Sequence, residues 1–500
     1  MKNERLETAG PSDRWSYLWL GLAAILLVFT YGMYRNPLAA LFAPLFLLRF
    51  FRSQNIGKGF LFVMLALIFS NIISWWNTSN EGTAIFRIIF GTVVGVLYSI
   101  PFLLDRVLVR KFQGFVSTLI FPVTFAAYEF LTFWLSPMST YGSIAYSQFS
   151  NPTLTQLTSI TGLWGISFII AWFASTVNWI WEESFAWQRI RRGLAIYFGV
   201  MLVVLIYGTV RLSTFLPEKG TVRIHGIIET DYTYDETSQE LSRFIGTGPK
   251  AVRAYTEPIY NRYLEATFRE AQAGAKIVVW PEVAVVGYRE DLEALLAKAS
   301  DIARQEDIYL VLGYGLLTTD PKAYYLEENR FAIIDPKGEK VVDTLKYGCI
   351  PAFGMYAFQL PVVDTPYGRM AGVPCCDLDF PYVIRQASQK GVDILFVPSF
   401  EPSMANQKAH SLMAPFRAIE NGFSIFRLTI QGFSQAFDPY GRTIGYMNDT
   451  LSNERVFVMQ LPNHNITTVY SLVGELFGWL MLVGFIAIVF IAIVRRRKKA

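Results

Sequence analysis

Three polar residues of this chain follow directly on apolar runs, and together their types suit nucleophilic acyl transfer. Glu282 closes VVWPEV (278–283), where Pro281 ends regular strand pairing and can turn the carboxyl toward a cleft. Lys346 leads the stretch DTLKYGCIPAFG (343–354) out of a strand. Cys375 ends GRMAGVP and begins CCDLDFP, beside Cys376; the third cysteine is Cys349. Singly, a loop acid, a solvated lysine and a buried cysteine are ordinary features of any fold. Together they complement one another. A thiol attacks as its thiolate and needs a base to take the proton. A carboxylate in an apolar setting can be that base. An ammonium group favours the thiolate and can steady a tetrahedral oxyanion. The set needs no imidazole, which suits a chain whose histidines are His225, His410 and His464.

The elements that must hold these groups fall in an α/β segment, residues 212–467. Strand-like runs are expected at 221–228, 275–283, 308–317, 330–336, 368–376, 392–399, 423–430 and 455–461, with helices at 251–273, 291–305 and 405–421. The turn signals DPKGEK and DPYGRT separate hairpin-like pairs. The three cysteines have no zinc-type spacing and are too few for a disulfide framework, so no metal or other cofactor is expected.

The remainder of the chain is of a different kind. Of the 500 residues 52% are hydrophobic and 16% aromatic, and the mean hydropathy is +0.32. Apolar runs at 16–34, 37–52, 58–76, 84–104, 113–136, 158–181, 193–211 and 468–494 are mostly near the ~20 residues that cross a bilayer. About eight transmembrane helices are therefore expected: seven in 1–211 and a final one in 468–500 with a basic tail. Basic clusters at Lys2/Arg5/Arg14, Arg49/Arg52/Lys58, Arg106/Arg110/Lys111, Arg189/Arg191/Arg192 and Arg495–Lys499 fall at alternate ends of the runs. This places both termini in the cytoplasm and 212–467 outside. It also assigns the basic residues to topology and leaves nucleic-acid binding without support. Arg87 and Glu129 lie inside runs, where a charge marks a site or pairs internally.

The order and spacing of Glu282, Lys346 and Cys375 resemble the Glu-Lys-Cys triad of the nitrilase superfamily, and CCDLDFP resembles its cysteine motif. VPSFEP (397–402) and 416–442 resemble the C-terminal half of that superfamily, while LTSITGLWGISFII (157–170) resembles a membrane segment of apolipoprotein N-acyltransferases. The resemblance implies a membrane helical bundle joined to an αββα sandwich on the periplasmic side of a bacterial inner membrane. It implies Cys375 as nucleophile, with Cys376 and Asp377 beside it. It implies a phospholipid acyl donor, an apolipoprotein acceptor and a thioester intermediate, in a protein expected to be monomeric. The family carries a second Glu after the proline of the lysine loop; here Gly354 stands near that place. A membrane-anchored amidase using the same triad, and a degenerate relative that only binds lipid or lipoprotein, are the alternative readings.

Overall fold

The computed structural model describes residues 13–76, 83–136, 138–213, 220–229, 243–318, 326–347, 358–401, 404–452 and 455–497. The chain forms two units, a helical one from Met1–Thr214 with Val473–Ala500 and a sheet-bearing one from Phe215–Leu472.

The helical unit contains α1 (Ser16–Val28), α2 (Pro37–Ser53), α3 (Ile56–Ser74), α4 (Ala84–Leu108), α5 (Ile120–Leu135), α6 (Leu163–Glu182), α7 (Trp187–Ser213) and a last helix, Leu476–Arg497. Six are long and apolar enough to cross a membrane: α3, α4, α5 with the turn before it, α6, α7 and the last helix. The first two runs give shorter helices. The run at 16–34 leaves the helix after Val28, where Phe29 and Thr30 turn back onto Leu26 and Leu27. Gly32 follows, with a φ of +65° and a close approach to the Ser74 carbonyl that exclude a side chain. The 13 residues of α1 span about 20 Å, less than the ~30 Å hydrocarbon core. In α2, of 17 residues, Pro37 sits in the first turn and the Asn36 side chain caps Leu38 and Ala39.

Small residues let α3 and α4 meet closely. A Cβ on Gly91 would lie 2.7 Å from Ile72 Cα, and one on Gly95 2.5 Å from Ile68 Cα. Charges inside this unit are partnered: Arg52 makes two bonds to Asp105, at 2.8 and 2.9 Å. Glu129 and Arg87 find separate partners. Glu129 accepts from Ile144 N and from the hydroxyls of Ser143 and Ser167, and Arg87 lies over the Trp76 ring.

The second unit contains β1 (Thr221–Ile227), α8 (Pro249–Gln272), β2 (Ile277–Val279), β3 (Val285–Gly287), α9 (Arg289–Glu306), β4 (Tyr309–Leu317), β5 (Leu326–Ile334) and β6 (Lys340–Leu345). After these come β7 (Val363–Thr365), β8 (Gly368–Gly372), α10 (Pro381–Gln389), β9 (Ile394–Phe400), α11 (Met404–Asn421), β10 (Ser424–Ile430), β11 (Phe433–Phe437), β12 (Thr443–Asn448) and β13 (Val456–Pro462). One sheet runs β13-β1-β2-β4-β5-β6 with β3 on β4, and the other runs β12-β11-β10-β9-β8-β7. Their inner faces share one apolar core, in which Ile224, Val279, Val311 and Phe331 meet Met370, Phe396, Phe426 and Leu428. α8 and α9 cover the outer face of the first sheet; α10 and α11 cover that of the second. This is a four-layer αββα sandwich. The sheets meet tightly at Gly372, where a Cβ would run into the Phe331 ring. That contact fixes the end of β8, three residues before Cys375.

Candidate active site

Glu282, Cys375 and Glu401 each follow a strand that pairs in parallel: β2, β8 and β9. In open α/β sheets the carboxyl ends of such strands are where functional groups collect. Lys346 arrives from β6, and its backbone N–H donates to Asn329 O at 2.8 Å. The Asn329 side chain donates to Glu282 Oε1, also at 2.8 Å. One residue of β5 thus aligns both the lysine and the glutamate.

Glu282 is buried. Its Oε1 accepts from Lys346 Nζ at 2.6 Å, and its Oε2 accepts from Phe400 N at 3.0 Å. The Phe400 carbonyl in turn lies 3.8 Å from Cys375 Sγ. A single residue at the end of β9 therefore touches both the glutamate and the thiol. Cys375 is buried and free. Its φ is +46°, and that of Val283, next to Glu282, is +45°. Non-glycine residues in this region store about 1–3 kcal/mol of strain, and such strain concentrates at functional sites.

The structure brings Glu282, Lys346 and Cys375 together. Asp377, fully buried, accepts from Tyr347 N at 2.8 Å and ties the lysine segment to the Cys375 turn. Cys376 is disulfide-bonded. The three cysteines make no framework, yet Cys376 is a structural tie beside the free thiol. Gly354 lies outside the described residues.

Four groups here, Glu401, Arg427, His410 and Asp379, were not singled out from the sequence. The thiol donates to Glu401 Oε1 at 3.4 Å. The same oxygen accepts from Arg427 Nη2 at 2.6 Å and His410 Nδ1 at 2.7 Å. His410 Nε2 reaches Asp379 Oδ2 at 3.1 Å. The readable signal was Glu401 itself, an acid closing the apolar strand in VPSFEP as Glu282 closes VVWPEV.

Burial pushes the Lys346 ammonium toward its neutral form, but the charges of Glu282, Cys375 and Asp377 outweigh this and hold its pKa above the ordinary lysine range. Burial raises the Cys375 thiol well above its usual pKa, and Glu282 and Glu401 raise it further. Burial would also raise Glu401, yet His410 and Arg427 hold its carboxyl below the usual range. His410 loses to burial but gains more from Asp379 and Glu401, and is pushed up to about 10. The resting site holds a neutral thiol between fixed charges. Ligand atoms of Cys375, Glu401 and His410 lie within 4.8 Å of one another. Arg427 already pairs with that carboxylate at 2.6 Å, and His410 bridges it to Asp379.

Residues 23–176 match the family described as apolipoprotein N-acyltransferase N-terminal domain, and residues 249–461 match carbon-nitrogen hydrolase. The chain belongs to the apolipoprotein N-acyltransferase family. Curated apolipoprotein N-acyltransferases to which it is similar include one from Geobacter metallireducens, 24% identical over 82% of this chain and 80% of that protein. One from Rickettsia prowazekii is 22% identical over 74% and 75%. Apolipoprotein N-acyltransferase 1 of Treponema denticola is 22% identical over 83% and 84%. Among solved structures, an amidase of the nitrilase superfamily from Nesterenkonia aligns with a TM-score of 0.36 and 18% identity, over 50% of this chain and 94% of the amidase. Within the apolipoprotein N-acyltransferase framework, every site residue named above falls in the carbon-nitrogen hydrolase portion.

Proposed function

We propose that the protein moves an acyl chain from a membrane phospholipid to the N-terminal α-amino group of the diacylglyceryl-cysteine of apolipoproteins, through a thioester on Cys375. Glu282 takes the Sγ proton as the sulfur attacks the ester carbonyl, and Lys346 steadies the oxyanion. Collapse breaks the ester C–O bond, and the lysophospholipid leaves with the proton from Glu282. The amine nitrogen then attacks the thioester and forms the amide. Its proton passes through Glu282 to the departing sulfur, which restores the thiol.

The observation that carries this reading is the meeting of Glu282, Lys346 and Cys375 around Phe400, in a chain that also carries the family's membrane domain. Both substrates are lipid-anchored, so a site tethered at the membrane gains from proximity. We place 212–467 on the outer face of a bacterial inner membrane, with cytoplasmic termini and a monomeric chain. The alternating basic clusters and the bonded Cys376, which suits an oxidising compartment, support the sidedness.

The test is intermediate trapping. Purified protein in detergent receives a phospholipid with a labelled acyl chain. The expected result is protein-bound label that neutral hydroxylamine removes and that Cys375→Ala lacks, followed by chase onto a diacylglyceryl-cysteine peptide. Free fatty acid released without chase would point to a hydrolase. Absence of bound label in folded protein would overturn the enzyme reading.

A further inference from the structure

The lysine segment carries no acid between Lys346 and Gly354, yet the site holds a second carboxylate that comes from a different strand. Glu401, 1% exposed, closes β9, and Oε1 receives three donors: Cys375 Sγ, His410 Nδ1 and Arg427 Nη2. Its own backbone N–H donates to Ile430 O at 3.1 Å, which fixes the carboxylate between β9 and β10. Asp379, on the same turn as Cys375, holds the far side of His410. The chain nucleophile turn–His410–Glu401–thiol therefore closes on itself.

We propose that Glu401 is a positioning residue, which fixes the direction of the Cys375 thiol from the end of β9 and supplies the second carboxylate absent from the lysine segment. This rests on the reading of Cys375 as the nucleophile. Glu401 is not the base. Two cationic partners at 2.6 and 2.7 Å keep it ionised, so it accepts the S–H bond without taking the proton. That leaves proton transfer to Glu282, and the thiol must turn from one carboxylate toward the other as substrate enters. The charged groups that act on the sulfur are Glu282, Lys346, Glu401 and Arg427. Asp377 lies in its own turn, and His410 acts through Glu401.

The test reads the pH profile of iodoacetamide alkylation of Cys375 in the full-length protein in detergent, which needs no acyl chemistry. Glu401→Gln removes an anion beside the sulfur, so alkylation near neutral pH should rise about tenfold, one pKa unit. Glu401→Asp keeps the charge and should restore a profile close to wild type. His410→Gln removes a cation from Glu401 and should move the profile the opposite way, with slower alkylation. An unchanged profile in folded Glu401→Gln would overturn the proposal. Should that variant not fold, an unchanged His410→Gln profile would overturn it alone. Failure of the acyltransferase reading would show separately, as absent thioester in a wild type whose alkylation still responds to these changes.

Discussion

Lys346 Nζ lies 2.6 Å from Glu282 Oε1, and the carboxylate of that pair is closed off from solvent. The ion pair joins the two ends of a site that sequence separates by 64 residues. Breaking such a pair from one side leaves an uncompensated charge, at a cost of about 3–5 kcal/mol. Lys346→Met should therefore lower both the melting temperature and thioester formation. Glu282→Gln keeps the size and one accepting oxygen but removes the proposed base, and should cut acylation by about 10²–10⁴-fold. Single-turnover acylation beside thermal unfolding checks both. Acylation at wild-type rate in Glu282→Gln would exclude it as base.

Gly313 of β4 leaves no room behind Glu282. A Cβ there would lie 2.6 Å from Pro281 O and 2.7 Å from Glu282 Cα. Gly313→Ala should destabilise by about 1–3 kcal/mol through overpacking, and slow acylation by displacing Glu282. Gly246→Ala, with nothing within 4 Å of the added carbon, is the matched control and should leave both unchanged. Denaturant titration and the trapping assay together distinguish a local shift from global loss.

Thiol counting tests the state of Cys376. With one bridge and a free Cys375, protein unfolded without reductant should take up one maleimide per chain. After reduction it should take up three, the number of cysteines in the sequence. Three without reduction would show that the bridge does not form.

His410 gives the fold an alkaline limit. Its pKa is pushed from an ordinary 6.5 to about 10 in the folded protein. A group raised in this way contributes stability that is complete below the unfolded value and is lost as pH rises through the folded one. The melting temperature should therefore fall between about pH 7 and pH 10, and His410→Gln should flatten that slope. An identical slope in the variant would place the titrating group elsewhere.

Sequence carried the long buried strands well, because β4, β9 and β10 are mostly apolar runs, buried almost end to end and bounded by turns. β3 and β7 are three residues each, too short for any periodicity to register. β6, β11 and β12 are partly exposed and lack the continuous apolar signature. In the membrane half, apolarity alone could not show that the first helix stops at Val28 or that Gly32 must lack a side chain, because the latter depends on where Ser74 comes to lie. Glu282, Lys346 and Cys375 were legible as ends of apolar runs. Arg427 was hidden inside FSIFRLTI and His410 inside a helix, and only the folded contacts give either one a function. Asn329, which aligns Glu282 and Lys346, sits in a polar stretch with nothing to distinguish it.

The left-handed backbone at Cys375 sets chemistry against foldability. With φ at +46°, an L-residue there carries about 1–2 kcal/mol that glycine would not, less some tenths for glycine's freer unfolded chain. Cys375→Gly should thus outlast Cys375→Ala on heating, although both lack the sulfur. On the proposed mechanism, the residue that would make this one position most durable is one that cannot react. The proposed nucleophile occupies its place at the expense of the scaffold, and selection for stability alone would remove it.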